Sequence, residues 1–360
     1  MKKKIVIYIN SMHPSGGIER VISNLSNAWT DKYDLVLLTK DDGDSFYPLP
    51  ENIQRVSLKM PMVYDMNNLL QRTIATFHSF GQSKKALSHI LPDLNPDYIY
   101  TATPLNGWEI TALGENFQKR LVVSEHGSYY GYNKFWTAIK KRVYPKAYCV
   151  SVLNQMDTEI YKSWGCNAVY VPHLITFPAI KKNSLTSKIA INVGRLTNDK
   201  RQELLIDMWC NIKHHNGWKL WIVGDGENKE LLQKKISERR CEKSVTLIPA
   251  TKDIDKIYEQ SSLFLFTSST EGFGMVLLEA MSFGVPCLSF DCPSGPRDII
   301  RNGENGYLIE NSNGDKFQEK LQEVLEMPIE DLQRLGSVAF ETVKQWDNEE
   351  ILGRWDSIFQ

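Results

Sequence analysis

Short apolar segments alternate with amphipathic helical stretches along almost the whole chain, and this pattern restricts the fold more than any other feature. The first unit consists of the apolar run at residues 4–10, a glycine turn, and residues 18–29, whose apolar side chains recur with a helical period. Parallel strands need a crossover connection, which is usually a helix. The sequence therefore predicts an α/β fold with doubly wound parallel sheets.

The pattern occurs twice, and a chain of 360 residues exceeds the size at which one hydrophobic core stops growing. Residues 172–187, with two prolines among polar side chains, separate the two series. We therefore predict one domain at residues 1–173 and another at residues 174–344. The predicted strands lie at residues 4–10, 34–39, 53–58, 98–100, 121–124, 147–153, 168–171, 189–193, 219–223, 245–248, 263–266, 286–290 and 306–309.

Charge and cysteine content exclude several classes of protein. With 42 basic and 43 acidic residues the net charge is −1, which argues against a dedicated nucleic-acid-binding protein. The six cysteines show no Cys-x-x-Cys spacing, and the apolar part of the N-terminal segment is too short for a signal peptide. No apolar run approaches the roughly 18 residues that span a bilayer. We expect a cytoplasmic protein with free thiols and, at most, peripheral contact with a membrane.

Residues 271–279 form the first candidate site. A buried strand ends in a Thr/Ser cluster before Glu271, and good helix formers follow Gly274. The backbone N–H groups of residues 273–276 (Phe273, Gly274, Met275 and Val276) then lie at a helix N-terminus, where an anion is favoured. Glu271 precedes this seat and Glu279 lies more than a turn into the helix, so the two carboxylates can bind different parts of one ligand. The alternative is an ordinary strand, loop and helix with two surface glutamates.

Other polar and glycine residues follow further predicted strands. Ligands of doubly wound sheets bind beyond the carboxyl ends of the strands, so these residues belong to the same candidate site. They are Gly16, Gly17, Glu125, His126, Gly194, Arg195, Lys200, Gly224, Asp225 and Gly226.

The ordered set resembles the retaining glycosyltransferases of the bacterial family-four type. The resemblance covers nearly the whole chain. Its most specific part is the pair Glu271 and Glu279 with seven residues between them, preceded by Gly194-Arg195-Leu196 and followed by Ser294-Gly295-Pro296. The family has the GT-B fold, in which two Rossmann-like doubly wound domains face each other across a cleft. The resemblance also implies that a C-terminal helix at about residues 345–360 packs back on the first domain.

The resemblance implies roles for the donor-side residues. Arg195 and Lys200 would hold the diphosphate of a nucleotide sugar, assisted by the helix N-terminus at residues 273–276. Glu279 would bind the ribose and Glu271 the hydroxyls of the transferred sugar. Gly16 and Gly17 would lie near the phosphates, because glycine lets the backbone approach closely. A solvated helix entry and a plain tight turn are the respective alternatives for the basic pair and the glycine pair.

His126 corresponds to a histidine that faces the anomeric centre in this family, with an ordinary strand-end histidine as the alternative. No carboxylate nucleophile is evident at a matching position, so we expect front-face departure of the leaving group and retention of configuration. No metal or other cofactor is required on this hypothesis, because the cations and the helix N-terminus neutralise the diphosphate. Asp253 and Asp255 form an Asp-x-Asp pair, but they fall on the predicted solvated face of a helix.

The acceptor side rests on a basic, aromatic stretch. Lys140, Lys141 and Arg142 follow Phe135 and Trp136 in a predicted helix at about residues 135–148. Basic amphipathic helices bind anionic membranes, so these residues are candidates for contact with a membrane or a lipid pyrophosphate. A merely solvated helix is the alternative.

Two positions depart from the pattern of the family. Pro172-His173-Leu174 lacks the Asn-Gly that many members have after this proline, and Asp298 stands where members often carry glutamate. The resemblance therefore assigns no role to His173, and a donor contact by Asp298 is in doubt.

The sequence elements look most like the subgroup that builds surface polysaccharides and lipid-linked oligosaccharides. The favoured hypothesis is transfer of a hexose or N-acetylhexosamine from UDP-N-acetylgalactosamine or UDP-galactose to a glycan or polyprenyl-linked acceptor. A UDP-sugar epimerase of the same fold, a GDP-mannose-dependent mannosyltransferase and a non-catalytic nucleotide-binding module are the alternatives. A nicotinamide dehydrogenase is disfavoured, because Gly224-x-Gly226 lacks the third glycine of the dinucleotide fingerprint.

Overall fold

A computed structural model of the chain describes residues 2–60, 69–177 and 182–360. The chain divides into two compact units, one comprising Met1–Leu174 with Glu349–Gln360 and the other comprising Ile175–Asn348. The predicted boundary at residues 173 and 174 lies one residue before the observed one.

The first unit contains a sheet of seven parallel strands in the order β3-β2-β1-β4-β5-β6-β7. The strands are β1 (Lys4–Ile9), β2 (Asp34–Thr39), β3 (Gln54–Ser57), β4 (Tyr98–Thr101), β5 (Leu121–Glu125), β6 (Cys149–Val152) and β7 (Ala168–Tyr170). The helices are α1 (Gly17–Trp29), α2 (Leu69–Leu94), α3 (Pro104–Thr111), α4 (Glu115–Gln118), α5 (Lys134–Val143) and α6 (Gln155–Ser163). The interior strand β1 is continuously apolar and buried from Ile5 to Ile9, as expected of a sheet covered by helices on both faces.

The second unit contains a sheet of six parallel strands in the order β10-β9-β8-β11-β12-β13. The strands are β8 (Ile189–Val193), β9 (Lys219–Val223), β10 (Val245–Ile248), β11 (Leu263–Phe266), β12 (Cys287–Asp291) and β13 (Gly306–Glu310). The helices are α7 (Gln202–Cys210), α8 (Lys229–Glu238), α9 (Ile254–Glu259), α10 (Met275–Ser282), α11 (Pro296–Ile299), α12 (Gly314–Glu326) and α13 (Ile329–Val343). The two parallel sheets confirm the predicted doubly wound class.

The final helix, α14 (Asn348–Ile358), packs on the first unit through aromatic side chains. The ring centroids of Trp355 and Phe359 lie 5.3 and 5.2 Å from that of Trp29, in edge-to-face contacts. Tyr33 donates a hydrogen bond of 2.6 Å to Asp356. Trp346, by contrast, precedes this helix and contacts Phe273 of the second unit at 6.2 Å.

The two points at which the chain passes between the units are joined by one side chain. The Asn348 amide accepts a hydrogen bond from the Ile175 N–H at 2.7 Å and donates one to the Ile175 carbonyl at 3.2 Å. Both polar groups of this backbone segment are thereby satisfied.

Two predicted helices differ from the observed ones in length. The helical stretch predicted at about 135–148 is α-helical only to Val143, because Pro145 cannot donate the next backbone hydrogen bond and a 3₁₀ turn (Tyr144–Lys146) replaces it. The second is a helix that the sequence predicts over residues 82–91; the structure shows it as part of the longer α2. Within the described ranges, no helix is both long and apolar enough to cross a membrane.

Candidate active site

An ion pair between Lys200 and Glu271 lies at the carboxyl ends of β8 and β11. The Lys200 ammonium is 2.6 Å from the Glu271 carboxylate, and both side chains are largely buried. Burial opposes the charge on Lys200, but the carboxylates of Glu271 and Asp199 outweigh it, so the pKa of Lys200 lies above its ordinary value. Two residues that the sequence suggested for one ligand are therefore adjacent.

Hydrogen bonds between the two loops fix this ion pair. Thr267 donates to the Lys200 carbonyl at 2.8 Å, and the Ser269 N–H donates to the Asp199 carbonyl at 2.7 Å. The Thr/Ser cluster after β11 therefore holds the turn that carries Lys200.

Arg195 is the second cation of this edge and is exposed. Its guanidinium makes no hydrogen bond or ion pair with any residue that the structure describes, while its carbonyl accepts a hydrogen bond of 2.9 Å from Gln202. The backbone of Arg195 is fixed and its charge is accessible to an anionic ligand.

The Gly224-x-Gly226 pattern has a packing role. Gly224 has a φ of +155°, and a Cβ there would lie 1.9 Å from the Gly194 carbonyl oxygen; at Gly226 it would lie 2.5 Å from the Leu196 carbonyl oxygen. The Leu196 N–H also donates to the Asp225 carbonyl at 2.9 Å. These glycines let the loop after β9 press against the loop that carries Arg195.

The predicted anion seat lies at the start of α10. Its N-cap is Gly274, with a φ of +89°, so no side chain of the cap residue competes with a ligand for the N–H groups of the first turn. Met275 and Val276 are half-buried, while the Phe273 side chain is buried in the unit.

The Ser-Gly-Pro turn after β12 packs against the loop between Glu271 and the start of α10. The Ser294 hydroxyl donates to the Glu271 carbonyl at 2.6 Å. Gly295 has a φ of +97°, and a Cβ at this position would lie 2.3 Å from the Phe273 carbonyl oxygen. Only glycine permits this approach, so the turn fixes the backbone between Glu271 and Phe273.

Glu279 is buried, with 1% of its surface exposed, which excludes the alternative of a surface glutamate. Its carboxylate accepts a hydrogen bond of 2.9 Å from the Tyr258 hydroxyl. Tyr258 is not among the residues predicted from the sequence, although its spacing of four from Ile254 marks the buried face of α9.

The Asp-x-Asp pair lies beside that buried face. Asp253 forms an ion pair of 3.0 Å with Lys256. No group of three or more His, Cys, Asp or Glu side chains arranged to hold a metal occurs in the described part of the chain.

In the first unit, the carboxylate of Glu125 lies at the centre of a buried polar cluster. It pairs with one ammonium and accepts hydrogen bonds from three tyrosine hydroxyls and one backbone N–H. The partners are Lys140 (2.6 Å), Tyr132 (2.8 Å), Tyr144 (2.9 Å), Tyr161 (3.1 Å) and the Gly127 N–H (3.2 Å). Burial raises the pKa of Glu125, but these partners outweigh the burial, so its pKa lies below the ordinary value.

The prediction that Lys140 contacts a membrane or acceptor is wrong. Only 1% of Lys140 is exposed, and its ammonium lies 3.6 Å from the ring centroid of Tyr132 in a cation–π contact. Lys140 shares the buried face of α5 with Val143, three residues later, and this spacing was the overlooked signal. Lys141 and Arg142 are exposed, as the prediction requires.

His126 follows Glu125 at the end of β5, and its ring has two aromatic neighbours. The Tyr100 hydroxyl lies 3.2 Å from Nε2, and the His173 ring stacks on the His126 ring at 4.9 Å between centroids. Burial lowers the pKa of His126 to about 4, although Glu125 opposes this shift. The imidazole of His126 is therefore neutral at pH 7.

A second buried ion pair joins Lys40, after β2, to Glu109 of α3 at 2.6 Å. Tyr8 donates to Glu109 at 2.8 Å, and Asn106 donates to Asn10 at 2.9 Å. The sequence offered no signal for this cluster, which fixes the residues that follow β1.

Gly16 and Gly17 lie at the start of α1. Gly16 is the N-cap with a φ of −82°, and a Cβ on Gly17 would meet nothing within 4 Å. The fold of the described residues therefore does not itself demand glycine at position 17.

The chain matches two family models. The model described as Glycosyltransferase Family 4 covers residues 15–174, and the model described as Glycosyl transferases group 1 covers residues 176–342. Together they account for nearly the whole of both units.

Similar proteins extend the comparison to full length. The chain is 29% identical over 371 residues to the amylovoran biosynthesis glycosyltransferase AmsD of Erwinia amylovora, with 99% of each covered. It is 37% identical over 142 residues to the lipopolysaccharide 1,6-galactosyltransferase of Salmonella typhimurium, covering 38% of this chain and 39% of that protein. A crystal structure of a mutant of S. aureus TarM in complex with fondaparinux, alpha-GlcNAc-glycerol and UDP has a TM-score of 0.79 at 17% identity, covering 99% of this chain and 100% of that one.

Replacing Lys140 should destabilise the first unit. Lys140→Met leaves the Glu125 carboxylate buried without its ammonium, so we expect a loss of about 3–5 kcal/mol in the free energy of unfolding. Urea denaturation measures this loss. Arg142→Met, on the exposed side of the same helix, should change stability by less than about 0.5 kcal/mol. Equal effects of the two variants would contradict the structural role of Lys140.

Replacing Gly295 should displace the loop at Glu271. Gly295→Ala combines an unfavourable φ with a clash against the Phe273 carbonyl, so it should cost more than the about 1–3 kcal/mol of backbone strain alone. Gly303→Ala is the matched control, because Gly303 has a φ of +83° and open space around its Cβ position. Thermal unfolding of both variants isolates the clash, and equal losses would show that the turn does not support the loop.

Proposed function

This chain belongs to the family-four type of glycosyltransferases with the GT-B fold, and we propose that its donor is a UDP-sugar, UDP-N-acetylgalactosamine or UDP-galactose. The enzyme acts in the synthesis of surface polysaccharide, lipopolysaccharide or lipid-linked oligosaccharide. The similarity to a lipopolysaccharide galactosyltransferase supports a galactose-type sugar. The fold it shares with a protein crystallised with UDP is compatible with UDP as the nucleotide.

The Lys200–Glu271 pair beside Arg195 and the start of α10 is the observation that carries this proposal. A nucleotide sugar presents a diphosphate next to hydroxyl groups, and this site presents cations next to a carboxylate held 2.6 Å away. The diphosphate binds Arg195, Lys200 and the N–H groups at the helix start, while sugar hydroxyls donate to Glu271.

The ribose binds at Glu279, whose carboxylate accepts hydrogen bonds from the ribose hydroxyls. Tyr258 already donates to one oxygen of this carboxylate at 2.9 Å and so fixes its orientation. Because Glu279 is buried, a lost hydrogen bond between the ligand and this carboxylate is costly. A ribose, which has one more hydroxyl than a deoxyribose, is therefore favoured.

The reaction proceeds on one face of the sugar with retention of configuration. The bond from the anomeric carbon to the diphosphate oxygen breaks, the acceptor oxygen bonds to the same face, and the acceptor proton passes to the departing diphosphate. Arg195 and Lys200 stabilise the negative charge that the diphosphate gains, so no metal is needed for this role. The family resemblance assigns His126 to the anomeric carbon; with a pKa of about 4 its imidazole is neutral and does not repel a developing positive charge.

We also propose that the first unit meets an anionic membrane surface, where a polyprenyl-linked acceptor resides. Tyr130 and Phe135 are 53% and 45% exposed, and Lys141 and Arg142 are exposed on the same helix as Phe135. Exposed aromatic rings beside basic side chains suit the interface of an anionic bilayer. The enzyme would then act at the cytoplasmic face of the membrane.

Removing the Glu271 carboxylate should abolish transfer without abolishing nucleotide binding. We expect Glu271→Ala to lower sugar release from UDP-N-acetylgalactosamine or UDP-galactose by about 100-fold or more, while UDP affinity stays within a few-fold. Asp199→Asn is the control, because it removes the other carboxylate near Lys200, 3.6 Å away, and keeps the sugar contact. A panel of UDP- and GDP-sugars, scored by hydrolysis and thermal stabilisation of the protein, identifies the donor.

Three outcomes of these experiments contradict the proposal. Stabilisation by GDP but not UDP would show that the donor is a GDP-sugar. Formation of an epimer from a UDP-sugar alone would show that the enzyme is an epimerase. A Glu271→Ala variant as active as the wild type would remove the assigned role of this carboxylate.

Charge reversal on α5 should weaken membrane binding. We expect the protein to sediment with anionic vesicles less strongly as salt rises, because the attraction is screened. The double variant Lys141→Glu/Arg142→Glu should bind less than Lys213→Glu/Lys243→Glu, which reverses two exposed lysines of the second unit. Equal binding to neutral vesicles would overturn the membrane proposal.

A further inference from the structure

His173 is a buried residue to which neither the sequence nor the family comparison assigns a role. It follows β7 and belongs to the last residues of the first unit before the chain enters the second. Only 9% of its surface is exposed. Its imidazole lies parallel to that of His126, with 4.9 Å between ring centroids and 21° between ring planes.

The backbone of His126 is already fixed from the other side. Glu125, the preceding residue, accepts a hydrogen bond of 3.2 Å from the N–H of Gly127, the following residue. A Cβ on Gly127 would lie 2.9 Å from the Tyr132 hydroxyl, which itself donates to Glu125 at 2.8 Å. The buried cluster therefore closes over the backbone on both sides of His126 and leaves only its side-chain torsions to be set.

The ring torsion of a histidine is soft, because the bond from Cβ to the ring has a broad, roughly two-fold profile. Tyr100 contacts one edge of the His126 ring, with its hydroxyl 3.2 Å from Nε2. A contact at one edge still permits the ring to rock about that point. The flat face of His173 removes this freedom, because rotation of His126 out of the stack would drive its ring into the neighbouring imidazole.

One polar atom of His126 is left over by this arrangement. Nδ1 is buried and has no hydrogen-bond partner among the residues that the structure describes. A buried nitrogen without a partner is costly, and the contacts around the ring hold this atom in a single direction. Burial and the neighbouring His126 also lower the pKa of His173 well below its ordinary value, so stacking of the two rings does not bring two positive charges together at pH 7.

We propose that His173 is a positioning residue, which holds the plane of the His126 ring against the reacting sugar through the stacked contact. This inference rests on the role of His126 in the proposed function. His173 itself touches no substrate; its effect on the reaction passes through His126 alone.

The test compares shape and chemistry at position 173. His173→Leu removes the flat face at similar size, and His173→Phe restores a flat ring without nitrogen. With the UDP-sugar identified in the donor panel, His173→Leu should lower kcat for sugar release by about tenfold and leave KM within about twofold, because positioning errors act on the reacting geometry. His173→Phe should recover most of this loss. UDP affinity should be the same in all variants.

A double variant shows whether the effect passes through His126. His126→Ala/His173→Leu should be no slower than His126→Ala alone, because a positioning residue has nothing to position once its target is gone. Multiplied losses in the double variant, or wild-type kcat in His173→Leu, would overturn the inference. If His173→Leu does not fold by circular dichroism, His173→Asn replaces it under the same expectations.

The outcome for His126→Ala separates the two levels of the argument. A slow His126→Ala with a fast His173→Leu leaves the proposed function intact and removes the role of His173. A His126→Ala variant that releases sugar at the wild-type rate removes the assigned role of His126 and the inference with it.

Discussion

Parallel strand pairing between β8 and β11 is the constraint on which the donor side depends. Residues about 70 positions apart in sequence become neighbours because these strands pair directly, with Leu263 opposite Ala190. All strands of the sheet point the same way, so the loops that follow them meet at one edge. Lys200, Glu271 and the Ser294–Gly295 turn therefore come from three neighbouring strands. Glycines at positions 224, 226 and 295 then allow backbones to approach where any side chain would clash.

The first unit differs from the second because it buries charged side chains beneath its strand ends. The Lys40–Glu109 and Lys140–Glu125 pairs are each 2.6 Å long and almost wholly buried. Removing ions from water costs several kcal/mol per ion, and the tyrosine hydroxyls, the Asn106 amide and the Gly127 N–H offset that cost. Such buried clusters are poorly suited to reach a ligand directly. They are well suited to fix the loops that follow the strands, such as the one carrying His126.

The features that the sequence predicts are those that depend on neighbouring residues along the chain. The alternation of apolar strands and helices was confirmed by the two parallel sheets, and the resemblance drawn from the paired glutamates and the basic loop was confirmed by the family matches. The adjacency of Lys200 and Glu271 follows from that fold, while their roles toward a donor stay predictions. The charge of Lys140 predicts a solvent-exposed side chain, whereas its position three residues before the buried Val143 predicts the buried face of α5, and position decides.

Other contacts had no local signature. Tyr258 reaches Glu279 across 21 residues, Lys40 reaches Glu109 across 69, and His173 stacks on His126 although two α-helices and two strands lie between them. Each is a pairing of side chains whose partner is decided by tertiary packing, which a single sequence does not display.

The aromatic contacts of α14 have a consequence for biosynthesis. Trp355 and Phe359 complete the packing around Trp29, yet they are made after all of the second unit. During translation the second unit has its full set of residues before the first does, although the first begins to emerge earlier. The packing around Trp29 in the first unit can therefore be completed only after the last helix has been synthesised.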